Sequence, residues 1–189
     1  MEKTNTGAHR EKDVRDKEKT TKHPVRKMSE YGKQLFEKQK VKHMYGMRER
    51  QFRKFFEIAL RATGAPGETL LSMLERRIDN VVYRLKMATS RAQARQIIVH
   101  GHVFINNRRV SSPSCMVAVG DVVSLDPSVM KKEHFLENVI DKRLKIGVKI
   151  PEWLEVDKQA REGKILRIPV RTDIQTPIEE HLIVELYSK

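Results

Sequence analysis

Cysteine is the first scarcity. The 189-residue chain has a single one, Cys115. That excludes an internal disulfide and a cysteine-rich zinc centre, and a lone cysteine reads as a small buried hydrophobe. Long apolar runs are missing as well. No run approaches the roughly 18 residues that span a bilayer. The first residues are polar where a secretory leader would be apolar, so a cytoplasmic protein without a membrane partner is expected. Catalytic signatures are also wanting: there is no GxSxG, P-loop, HExxH or CxxC pattern. His100 and His102 lack further ligands that would make them a metal site. Asp79-Asn80 reads as a buried aspartate paired with a nearby arginine. No enzyme, no metal and no cofactor is expected.

Positive charge is what the chain has in surplus. It carries 38 Lys+Arg against 25 Asp+Glu, a net charge of +13. Residues 1–54 hold 17 basic and 8 acidic residues, a surplus of nine, which leaves a surplus of four for residues 55–189. An uncompensated surplus of this kind repels itself and is best accounted for by phosphates opposite it. An anionic membrane fits less well, because the segment has no continuous apolar stripe. Leu, Ile, Val and Phe make up about a quarter of the chain, enough for one or two small cores.

Hydrophobic spacing outlines the elements. Residues 1–28 read as a basic extended arm with too little apolar surface to order alone. Ser29 is placed to cap a helix that reaches Met44 and stops at Gly46. A second helix spans about Met47–Ala62, with Phe52, Phe55, Phe56, Ala59 and Leu60 on one face. Gly64–Gly67 breaks the chain, and the heptad-like Leu70, Leu71, Leu74, Ile78, Val81, Val82 and Leu85 predict one helix from Glu68 to Lys86. Ser90 with Gln93 forms a capping-box pattern for a fourth helix. It starts at Arg91 and ends before Gly101, with Ala94, Ile97 and Ile98 inward and Arg91 and Arg95 together on the outer face. From His102 the period becomes two. Val103 and Ile105 lead to an Asn106-Asn107 turn and then Val110. A second hairpin is expected to pair Val117–Val119 with Val122–Leu125. A helix over Pro127–Lys145 is expected next. Strands at Trp153–Val156 and Ile165–Ile168 are expected to flank a turn at Glu162-Gly163. Thr176-Pro177-Ile178-Glu179 reads as the start of a closing helix, although the alternation at Leu182–Leu186 also suits a strand.

One unit concentrates binding chemistry. Arg91, Arg95, His100, His102, Asn106, Arg108 and Arg109 share a helix–strand–turn segment. Arginine offers forked contacts to phosphate oxygens, and asparagine can meet a base edge or a ribose hydroxyl. His100 and His102 are either RNA-facing donors or turn-associated structural residues.

The run Ile78–Arg84 followed by Ser90–His102, SRAQARQIIVHGH, resembles the small RNA-binding module named after ribosomal protein S-four. Ser29–Ala59 resembles the helical region of the bacterial S-four family, and Glu180–Lys189 resembles its C-terminus. The resemblance covers about residues 29–189 and implies an α+β protein. A helical domain, 29–76 joined by the C-terminal segment 170–189, receives residues 77–169 as an insertion. The insertion is an RNA-binding module with a small antiparallel sheet and flanking helices. It implies a structural constituent of the small ribosomal subunit that binds the 5′ domain of its RNA and nucleates assembly. It also implies a position at the messenger's entrance channel, beside small-subunit proteins three and five, with influence on decoding accuracy. Lys38, Lys40, Lys42, Tyr45 and Arg53 match the family's helical domain and are carried over as RNA-binding candidates. Lys22, Arg26 and Lys27 of the arm either line the messenger path or anchor the arm to ribosomal RNA. Some relatives hold zinc through cysteines near the N-terminus. This chain has no cysteine there, so zinc is not expected. An RNA-modifying enzyme carrying the same module would need a separate catalytic domain with an active-site Asp, for which too little contiguous chain remains, and the helical flanks argue against a free-standing RNA chaperone or ribosome-rescue factor. A DNA-binding helix-turn-helix protein is the remaining rival, separable by preference for duplex DNA.

Overall fold

The computed structural model describes residues 28–130, 149–157 and 160–188. The arm expected at residues 1–28 falls outside them except for Met28, and with it Lys22, Arg26 and Lys27. Helix α1, Glu30–Met44, begins where the Ser29 hydroxyl accepts the Gly32 N–H at 3.1 Å. It ends at Gly46, whose φ of 60° only glycine adopts without strain. Helix α2 spans Glu49–Arg61 and buries Phe52, Phe56 and Ala59. Leu60, expected on that face, is exposed instead, at the last turn of the helix, where little packs over it.

The single helix expected over Glu68–Lys86 is two, α3 at Pro66–Glu75 and α4 at Ile78–Arg84. Tertiary hydrogen bonds break it. Arg77 is extended and bridges Met116, Ile78 N–H donates to the Cys115 carbonyl at 2.8 Å, and Val117 N–H donates to Arg76. Those partners replace the i→i−4 bonds of a continuous helix. The apolar spacing continues through the break, so periodicity alone does not register it. The 113–117 segment is therefore used against α4, and the hairpin expected for Val117–Val119 with Val122–Leu125 does not form. Val119 is exposed there.

Helix α5, Arg91–Val99, is capped by the Ser90 hydroxyl on Gln93 N–H, while the Gln93 carboxamide accepts from Thr89 N–H and its hydroxyl, one residue earlier than a capping box requires. Strands β1, Val103–Ile105, and β2, Arg108–Val110, form the expected hairpin, with Asn106 and Asn107 both left-handed at φ 48° and 63°. Strand β3, Val122–Leu125, pairs with β1. Helix α6, Pro127–Met130, is the described start of the helix expected to Lys145, and the rest of that expectation lies outside the described residues. Strands β4, Leu154–Asp157, and β5, Glu162–Ile165, complete an antiparallel sheet of order β2-β1-β3-β5-β4. Glu162 and Gly163 lie inside β5, opposite Asp157 and Val156, and not in a turn. The chain reverses just before them, with Arg161 left-handed at φ 55°. Ile168 lies beyond the strand and is exposed.

The closing segment is the helix α7, Glu180–Ser188, and not a strand. It starts later than Pro177 because carbonyls before it are already engaged. Lys40 Nζ donates to the Pro177 carbonyl at 2.6 Å, and the Arg171 guanidinium donates to the Ile174 and Ile178 carbonyls. The described helices and antiparallel sheet make an α+β fold with two hydrophobic clusters. The first joins Val41, Tyr45, Phe52, Phe56, Leu70, Leu71 and Leu74 to Ile174, Ile178 and Ile183 from the chain's far end. Tyr187 stacks on Phe56 with ring centroids 4.6 Å apart. The second gathers α4, α5 and the sheet around Trp153, with Cys115 half-buried at its margin.

Candidate nucleic-acid interface

Between the two clusters lies a buried polar seam. The Glu75 carboxylate, 1% exposed, accepts from the Tyr45 hydroxyl at 2.7 Å, Asn80 Nδ2 at 2.8 Å and Arg84 at 2.7 and 3.1 Å. Asp79 is buried and paired with an arginine, as expected of it. It takes a two-pronged bond from Arg77 and a third from Arg95. Each buried carboxylate thus has several donors, which offsets the cost of burying its oxygens in an apolar surround. Burial, reinforced by the charge of Glu75 and the hydrogen bond to it, pushes the Tyr45 hydroxyl well above its ordinary pKa.

This seam corrects the expectation for α5. Arg91 and Arg95 do not share an outer face. Arg91 donates from Nε to Asn80 Oδ1 at 2.8 Å and lies over the rings of Tyr45 and Tyr83, 5.1 and 4.7 Å from their centroids. Arg95 donates to the Gly46 carbonyl at 2.8 Å as well as to Asp79. Both arginines therefore tie α5 to the α1–α2 turn. Their spacing put them on one side of the helix, but sequence could not say that a second unit packs against that side.

Other candidates are also engaged within the protein. Lys38 and Lys42 converge on Glu49 at 2.6 and 3.1 Å, Lys40 binds Glu37, and Arg53 binds Glu57. Arg109 turns back to the Gly101 and His100 carbonyls at 2.8 and 3.0 Å. Asn106 bonds the Asp121 carboxylate and receives the Val122 N–H. His100 and His102 come together edge to face, 6.1 Å between ring centroids, with His102 Nδ1 3.8 Å from the Asp126 carboxylate. His100 and Arg108 are exposed. Arg108 has no partner among the described residues.

The outer face of α2 carries what sequence reasoning passed over. Arg50, Lys54, Ile58 and Arg61 recur at helical spacing, are exposed, and the three cations have no partner among the described residues. Arg48, at the start of the helix, is equally free. The signal was available, since these positions lie opposite the Phe52/Phe56 face. Such a row presents long flexible cations that can follow a phosphate backbone. Among the described residues, no group of three His, Cys, Asp or Glu side chains is placed to hold a metal, and no helix is long and apolar enough to cross a membrane.

Comparison with known proteins follows the same division. Residues 2–75 match the ribosomal protein S4/S9 N-terminal domain and residues 76–123 match the S4 domain. The boundary falls at the break between α3 and α4. Small ribosomal subunit protein uS4 of Caldicellulosiruptor bescii is 52% identical over 164 residues, 87% of this chain and 77% of the relative. The uS4 proteins of Halothermothrix orenii and Trichlorobacter lovleyi are 49% and 50% identical over 163 residues, 86% of this chain and 77% of each relative. With identity near one half along most of both sequences, and both domain profiles matched in order, the chain belongs to the small ribosomal subunit protein uS4 family.

Proposed function

We propose that this protein is a structural constituent of the small ribosomal subunit that binds its ribosomal RNA. The observation that carries this reading is the near-50% identity to proteins named small ribosomal subunit protein uS4 over most of the chain. The surplus of positive charge and the unpaired cations of α2 supply the chemistry. The protein works by binding and not by catalysis, is bound to ribosomes, and is therefore cytoplasmic. In finer detail, it binds the 5′ domain of the RNA, nucleates assembly, and contributes to the messenger's entrance channel and to decoding accuracy. Small-subunit proteins three and five are its neighbours.

In this reading the two clusters act as two units, 29–76 with 170–189 and 77–169, held at a fixed angle by the Glu75–Asp79 seam. The RNA contacts are divided accordingly. Arg50, Lys54, Arg61, Arg108 and His100 face the RNA directly. Arg91, Arg95, Lys38, Lys42 and Tyr45 hold the surface that presents them. Lys40, Arg53, Asn106 and Arg109 combine an internal bond with N–H groups left to donate to RNA, and His102 stands beside Asp126 with His100. Lys22, Arg26 and Lys27 extend the contact along the arm.

The test is co-sedimentation with small subunits after a high-salt wash, combined with binding to a transcript of the 5′ domain and to duplex DNA of equal length. Retention on subunits and a clear preference for the transcript are expected. Release by the wash together with equal affinity for DNA would overturn the proposal.

A further inference from the structure

A concave pocket opens on the same seam, lined by Arg48, Gln51, Arg77, Arg95 and Ser114 and enclosing about 240 Å³. Three arginines surround it, and among the described residues the only carboxylate bonded to any of them is Asp79, which serves both Arg77 and Arg95. Its lining is therefore in surplus by about two positive charges. Helix α2, 13 residues long, begins at its edge with Arg48 at the N-cap and no side chain capping the first turn. The first-turn amides and the helix dipole add positive potential there. Independently, Arg77 is 2% exposed and its Nη1 has no hydrogen-bond partner among the described residues. A buried guanidinium nitrogen left without an acceptor is costly, and here it belongs to a side chain forming the wall of a cationic hollow.

We propose that this pocket is a seat for one phosphate oxyanion, taken from the RNA backbone and held jointly by α2 and the α5 side of the seam. Arg48 closes on the phosphate from solvent, Arg95 offers the Nε left over from its bonds to Gly46 and Asp79, and Gln51 and Ser114 supply neutral donors. The field of Arg77 holds the charge from behind. One backbone phosphate clamped at this point reports the relative angle of the two units, because its ligands come from both. This inference rests on the reading of the protein as a ribosomal-RNA binder.

Two arms test it on the full chain. In the free protein, inorganic phosphate is titrated while the side-chain N–H signals of Arg48, Arg95 and Gln51 are followed by NMR. Saturable shifts are expected at these groups and at the first-turn amides of α2, and they should vanish in Arg48→Gln. Arg48 is exposed and unpaired among the described residues, so this variant should keep its melting temperature. In the second arm, Arg48→Gln is bound to the 5′-domain transcript across a salt series. Affinity should fall on the order of tenfold, and the slope of log K against log salt should lose about 0.9, the contribution of one phosphate. Non-saturating shifts spread over all exposed arginines would overturn the seat. Saturable phosphate binding with unchanged RNA affinity and slope would overturn its assignment to RNA. Failure of the unaltered protein to bind the transcript at all would instead refute the function proposed above.

Discussion

Arg91 offers the sharpest test of the seam, because the sequence leaves its side of α5 facing solvent and the structure packs Asn80, Tyr45 and Tyr83 against it. The perturbation is Arg91→Ala in the full chain without RNA. The substitution removes a charged hydrogen bond to a buried amide, Asn80 being 1% exposed, worth about 1.5–3 kcal/mol. It also removes a cation from the faces of Tyr45 and Tyr83, at about 0.5–2 kcal/mol for each ring. Part of this is returned, since the guanidinium no longer has to be desolvated; burial and the adjacent Arg84 already lower its pKa. The net cost should be about 2–4 kcal/mol. Arg91→Lys keeps the charge but loses the planar fork and should cost about half as much. In urea denaturation with a slope of about 2 kcal/mol per molar, the midpoint of Arg91→Ala should fall by about 1–2 M. Combining it with Asn80→Ala should recover a coupling energy of about 1–2 kcal/mol. A midpoint shift below about 0.3 M, with RNA affinity lost, would refute the structural role and restore the outward-facing reading.

Three further outcomes are expected. Gly101→Ala should cost about 1–3 kcal/mol, read by thermal denaturation, because Gly101 has φ 73° and the Arg109 guanidinium occupies the place of the added methyl. Wild-type stability there would mean that the Arg109 bonds to the Gly101 and His100 carbonyls carry no weight. The Arg167 guanidinium, forked onto Asp173, holds that carboxyl below its ordinary pKa. The stabilisation is therefore full above the unfolded value near 3.9 and is lost as pH falls through the lower folded value. Asp173→Asn should be less stable at neutral pH and should flatten that acid limb in a pH series of unfolding curves, whereas an unchanged limb would remove the pair from the account. Changing Arg50, Lys54 and Arg61 together to Ala should leave the unfolding free energy in urea within about 0.5 kcal/mol of wild type. It should reduce the salt slope of transcript binding by about 2–3, and an unchanged slope would remove the α2 face from the RNA contact.

The sequence by itself determined the local events. Ser29 and Ser90 capped helices because a hydroxyl before a helical run can take an orphan N–H. Asn106-Asn107 closed a hairpin because both residues tolerate positive φ. The inward faces of α2 and α5 followed from spacing, and the binding class from the concentration of charge. All of these depend on neighbours within a few residues. The structure alone decided three other things. It split the helix at Arg76–Arg77, gave the 113–117 strip to α4 in place of a hairpin, and delayed α7 to Glu180. In each case backbone groups were claimed by partners distant in sequence, such as Cys115 for Ile78 and Lys40 for Pro177. The fate of the cations divided in the same way. Sequence spacing shows which arginines share a side of a helix, as Arg91 and Arg95 do. Only the packing of α4 and of the turn at Tyr45 and Gly46 against that side decided that these cations hold the protein together, while the row on α2 is left without a partner among the described residues.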